Sequence, residues 1–166
     1  EGAASRGVPQ SPPTPMDNKE TIESKVGAQN IERAGSRILV TYHTGTLWSG
    51  KWIVIRAGDK LAAIGKWAAE DLSARLPEAQ LVLNVYTPTT DQYGKSDSRF
   101  VMAIEVETSD FGKIDWKRFN GDMLLNLASI NLVYPAAVSG LVAYCQDEGR
   151  VMFAREFCRQ ASRFIR

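Results

Sequence analysis

The chain has 166 residues, and those suited to chemistry do not converge along it. His43 is the single histidine. A histidine base needs a nucleophile or an orienting carboxylate beside it, and no Gly-x-Ser-x-Gly elbow or cysteine-protease pattern accompanies His43. Packing or hydrogen bonding at a strand end is its favoured role. Glu105, Glu107 and Asp110 bring three carboxylates close together in sequence, with Glu105 and Glu107 on one strand face. A metal-dependent nuclease could use such a group, but a solvated antiparallel face has the same composition. One histidine and two distant cysteines do not reproduce a zinc-finger spacing. Gly45, Gly50 and Gly58 form neither a Walker pattern nor Gly-x-Gly-x-x-Gly, so they read as turn punctuation. No catalytic residue, metal site or cofactor is assigned.

Two segments have the character of contact surfaces. Thr87 to Asp97 reads as a long loop carrying Asp91, Tyr93, Lys95 and Asp97. Long loops on rigid scaffolds often bind partners, and the spacing lacks the glycine and glutamate of an EF-hand. A protein contact and a solvated turn are both open readings here. The second segment is C-terminal: Arg150, Arg155, Arg159, Arg163 and Arg166 face only Glu156. Arg155, Arg159 and Arg163 recur every four residues and form one helical stripe. It suits nucleic acid, anionic lipid or an acidic protein, against the plainer reading of a solvated face. Trp48 and Trp52 flank a turn, while Trp67 and Trp116 lie in helical patterns, where core packing is expected.

Cys145 and Cys158 fall on consecutive predicted helices across a short turn, a placement that permits a disulfide. With a chain that starts at Glu1 rather than Met, and a Pro-rich start, this favours a bacterial-type envelope, periplasmic or secreted setting over a cytoplasmic one.

The elements that would position these residues follow from pattern. Residues 1–35 read as a disordered arm: Pro9, Pro12, Pro13 and Pro15 stand among Gly, Ser and Ala, and Asp17 to Ile31 has the makings of a marginal helix only. Residues 36–166 read as one domain. Strands are expected over Arg37–Thr44, Lys51–Arg56, Gln80–Tyr86 and Ser98–Thr108, the first two as a hairpin. In the last, Phe100, Met102, Ile104 and Val106 alternate onto one face. Asp59 would cap a helix over Lys60–Arg75 that Pro77 ends. Ile114, Phe119, Leu124, Leu127 and Ile130 suggest a second helix. Pro135 opens a third, and Val151–Ile165 forms the last. The fold class is α+β, a four-stranded mainly antiparallel sheet with three or four helices on one face, in the order ββαββααα.

Hydrophobic residues make up 44% of the chain and charged residues 23%, enough for a packed core. Lys and Arg number 20 against 19 acids, so net charge alone recommends neither nucleic acid nor membrane. No apolar run is long enough to span a bilayer. The leading expectation is a non-enzymatic protein-interaction domain, an accessory component of an envelope assembly. The alternatives are a small hydrolase or metal-dependent enzyme using the 87–97 loop with Glu105 or His43, and a nucleic-acid or acidic-partner binder using the arginine stripe.

Overall fold

The computed structural model describes residues 14–15, 30–44, 50–70 and 78–165. The expectations for most of the arm, for Trp48 and for Arg166 fall outside them. The fold is α+β, as expected, but its sheet is mixed and differently composed.

The strands are β1 (Thr14–Pro15), β2 (Asn30–Ala34), β3 (Arg37–His43), β4 (Gln80–Thr90), β5 (Ser96–Glu107) and β6 (Ser129–Val133), lying side by side in chain order. Only β3 and β4 run parallel; the other neighbours are antiparallel. The β2–β3 turn needs Gly35, whose φ of 62° is the left-handed region that glycine enters without strain. Ile31 is fully buried opposite Val40. Residues 30–35, and Thr14–Pro15 before them, therefore belong to the sheet, and their assignment to an arm is corrected. The polar residues Asn30, Glu32 and Arg33 hid a strand in which Ile31 is buried.

The second expected strand, Lys51–Arg56, is also corrected. Helix α1 (Trp52–Glu70) starts there, so no hairpin joins it to β3. The run Ile53-Val-Ile55 is β-branched, which favours a strand locally. Tertiary burial overrides that preference: Ile53, Val54, Ala57, Leu61 and Ile64 fill one helix face, and Trp52, Arg56, Asp59, Ala63 and Lys66 fill the other. Asp59 is therefore mid-helix rather than a cap. Gly58 is no breaker either. A Cβ there would lie 2.8 Å from the carbonyl oxygen of Gly121, so glycine lets helix α2 (Gly121–Leu127) approach. Helix α1 is the crossover between parallel strands β3 and β4, the right length of connection for that geometry.

A 3-10 turn, Thr108–Lys113, follows β5, and α2 starts where Asn120 Oδ1 accepts the Met123 N–H at 2.9 Å. The expected helix from Ile114 to Ile130 is thus interrupted. Its end is strand β6, missed because Ser129–Val133 is short and only Ile130 in it is fully inward. Pro135 does open helix α3 (Pro135–Cys145). The last expected helix is shortened to α5 (Arg155–Ala161), while Val151 ends a one-turn helix α4 (Glu148–Val151) before turns at Met152 and Phe153.

Inward-facing Ile38, Val40, Leu81, Leu83, Val85, Met102, Ile104 and Val106 share one core with residues from α1, α2, α3 and α5. Tyr144 of α3 and Phe157 of α5 are fully buried in it, ring edge to face with centroids 5.8 Å apart. Such contacts contribute about 1 kcal/mol beyond area burial.

Candidate functional site

The opposite face of the sheet carries Leu39, Asn84, Tyr86, Phe100 and Leu132, none of which joins the core. Phe100 is there because of a β-bulge. Val85 pairs with Met102, yet Tyr86 pairs with Phe100, so Val101 is an extra residue in β5. An extra residue reverses the alternation. The expectation that Phe100 shares a face with Met102, Ile104 and Val106 is corrected: it shares the face of Tyr86.

The bulge assembles a row of four rings. His43 stacks on Tyr86 with centroids 4.9 Å apart, Tyr86 meets Phe100 edge-on at 5.4 Å, and Phe100 meets Tyr134 edge-on at 5.2 Å. The row crosses β3, β4 and β5 and ends just beyond β6. Tyr134 is held at its end by donating its backbone N–H to Val101 O at 2.9 Å. His43 is half-buried, whereas Tyr134 and neighbouring Leu132 are 44% and 42% exposed. Sequence reasoning singled out His43 alone. The other three rings gave no linear signal, since 91 positions separate His43 from Tyr134 by number alone.

The 87–97 loop is shorter than expected. β4 and β5 run on as a paired ribbon to Thr90 and Ser96, leaving a turn of Asp91–Lys95. Asp91 Oδ1 accepts the N–H groups of Tyr93 and Lys95, both at 2.8 Å, and Gly94 sits at φ 79°. Asp91 thus builds the turn. Asp97 Oδ1 accepts the Ser98 N–H at 2.8 Å. Tyr93 stands 78% exposed at the tip. The ribbon projects about four residue pairs past the aromatic row, roughly 13 Å at strand rise.

The carboxylates are distributed among separate partners. Glu105 accepts from Arg37 at 3.4 Å and from Asn131; Glu107 accepts from Gln80 at 3.1 Å; Asp110 pairs with Lys113 at 3.7 Å. Among the described residues no group of three His, Cys, Asp or Glu side chains is placed to hold a metal. A shallow polar hollow of about 320 Å³ lies beside Glu78, Gln80 and Glu107 at one end of β4.

A partly buried polar network, unmarked in the sequence, ties α2, α3 and α4 to Lys51, the residue before α1. Tyr144 donates to Asp122 Oδ1 at 2.6 Å, and Arg150 Nη1 reaches Asp122 Oδ2 at 3.2 Å. Arg150 Nε also lies 3.7 Å from Asp147, which accepts from Lys51 Nζ at 2.7 Å. Burial, and then the bond to Asp122, push the Tyr144 hydroxyl far above the usual phenol range. Burial, and then the Asp122 charge, raise the Asp59 carboxyl. The Lys51 hydrogen bond holds Asp147 low. Lys51, Asp122, Tyr144, Asp147 and Arg150 each join two segments of the chain.

The arginine stripe is partly realised. Arg155 and Arg159 lie on α5, but Arg163 follows its end, and Arg159 is bound to Glu156 at i−3. Cys145 and Cys158 form a disulfide linking α3 to α5, with Cα atoms 5.7 Å apart. Trp67 and Trp116 pack on the core, as expected, while Trp52 is exposed. No described helix is long and apolar enough to cross a membrane. Compared with known proteins, the chain matches no family model, no curated protein and no solved structure.

Proposed function

We propose that this is a protein-interaction domain whose binding surface is the outer sheet face, with the row His43–Tyr86–Phe100–Tyr134 as its anchor and the Tyr93 ribbon beside it. The observation carrying this reading is the row itself. A bulge turns a phenylalanine away from the core and onto an aromatic strip that ends in exposed Tyr134 and Leu132. Rigid, partly buried aromatics contribute contact area at little entropic cost, which is why they dominate binding hot spots. Asp91, Tyr93, Lys95 and Asp97 would contribute the polar rim, with Asp91 acting through the turn it holds. The Cys145–Cys158 bridge supports an oxidising compartment, and we place the domain in the periplasm or outside the cell, as an accessory part of an envelope assembly.

The hydrolase alternative gains little from the geometry. Glu105 is engaged by Arg37 and Asn131, and His43 is stacked on Tyr86.

The test is a photo-crosslinking amino acid placed at Tyr134, or at Gln146 on the helical side as control, in the cells that make the protein. The expected result is one discrete protein adduct at position 134, absent at 146, and lost when Phe100→Ala is added, with that variant still folded at the labelling temperature. Equal labelling at both positions, or an adduct indifferent to Phe100→Ala, would reject the reading.

A further inference from the structure

The helical end of the domain has a second surface of different chemistry. Helix α4 stops at Val151, and the next two residues turn, with Phe153 N donating to Arg150 O and Ala154 N to Val151 O, both at 3.0 Å. Ala154 is buried and pins the turn, so Met152 and Phe153 are held outward, Met152 57% exposed. Two more exposed apolar side chains lie on elements joined to this segment. Leu127 ends α2, which is fixed against the start of α5 because Asn126 Oδ1 accepts the Glu156 N–H at 2.8 Å. Trp52 lies under the Arg150 guanidinium, 6.0 Å from ring centroid to its carbon.

Arginines follow this turn along the chain. Arg155, Arg159 and Arg163 are all exposed. Between Arg150 and Arg163 the chain has one acid, Glu156, and its carboxylate is taken by Arg159. Among the described residues no ion pair engages Arg155. A protruding apolar turn followed by exposed Arg155, Arg159 and Arg163, with Glu148 one helical turn before it, is not shaped as a groove for a folded partner. It matches a surface that is apolar at depth and anionic at its boundary, where Trp, Phe and Met enter the acyl edge and Arg meets phosphate oxygens.

We infer that Met152, Phe153, Trp52 and Leu127, with Arg155 and Arg163, form a docking surface for an anionic lipid bilayer. Contact would be peripheral. The outer sheet face is a separate surface, so this inference does not rest on the protein-interaction reading.

The experiment is co-sedimentation of the oxidised full chain with vesicles of phosphatidylcholine alone or with one third phosphatidylglycerol. The expected result is binding to the anionic vesicles and little to the neutral ones, weakened about tenfold by Arg155→Glu with Arg163→Glu, and by raised salt. Met152→Ser with Phe153→Ser should weaken it comparably, with the melting temperature unchanged in both pairs. Failure to bind anionic vesicles overturns the inference, as does binding that survives the Met152 and Phe153 changes. Binding of polyglutamate without binding of vesicles would overturn it in favour of an acidic-protein surface.

Discussion

The Tyr144 hydroxyl lies 2.6 Å from Asp122 Oδ1 at a point where three helices meet, and the same carboxylate takes Arg150 on its other oxygen. One side chain on α2 thereby holds α3 and α4. The two changes that break this relationship should differ in cost. Tyr144→Phe removes a hydrogen bond to a carboxylate that keeps Arg150, and should cost about 1–2 kcal/mol. Asp122→Ala leaves a buried hydroxyl and a partly buried guanidinium without their acceptor, and should cost about 2–4 kcal/mol. Urea unfolding of both variants checks the order. Equal losses would mean that Arg150 contributes nothing through Asp122.

Reduction of the Cys145–Cys158 bridge opens a loop with a sequence separation of 13. Chain-entropy reasoning assigns about 3 kcal/mol to a loop of this size. The Cys145→Ser/Cys158→Ser variant should lose roughly that much in denaturant, and wild type under reductant should fall on the same curve. A variant as stable as the oxidised protein would show the bridge to be energetically idle.

Gln160 acts as a substitute strand at the start of β6. Its Oε1 accepts the Ile130 N–H at 2.9 Å and its Nε2 donates to Ala128 O at 3.0 Å. Gln160→Leu abandons both groups beside a buried Ile130 and Ala128, at an expected cost of about 1–3 kcal/mol. Gln160→Glu restores the acceptor only and should recover part of the loss. Hydrogen exchange at the Ile130 amide is the specific readout: it should accelerate in the Leu variant and stay protected in the Glu variant.

Asp147 gives the fold a pH-dependent joint. The Lys51 hydrogen bond and charge set its folded carboxyl below the ordinary value, with the Gly149 N–H assisting. A depressed folded pKa means stability that is present above the unfolded pKa, about 4, and lost as pH falls through the lower folded one. Asp147→Asn can still cap α4 but carries no charge. It should be less stable than wild type by a constant margin from pH 7 to about 5, and the margin should close below about pH 4. Denaturant midpoints at pH 7 and pH 3 test this, and a margin unchanged at pH 3 would contradict it.

Much was readable from the chain alone, wherever the information was local. Apolar runs rich in β-branched and aromatic residues marked β3 and β4, alternation marked β5, and Pro135 marked the start of α3 because its ring and missing N–H suit a first helical turn. The spacing of Cys145 and Cys158 across a helical turn allowed the bridge that forms. Three other features needed the folded molecule. Ile53-Val-Ile55 is helical because the buried face of a 19-residue helix outweighs the preference of three β-branched residues. Phe100 faces outward because one extra residue at Val101 shifts the register, and register is set by the pairing of two strands rather than by either one. The Asp122–Tyr144–Arg150 network and the ring row are built from residues far apart in number, so only the packing of α1 to α4 and the order of the sheet could bring them together. Local propensity and alternation reside in the sequence; which residues share a surface is decided by the tertiary contacts that pay the entropy of ordering them.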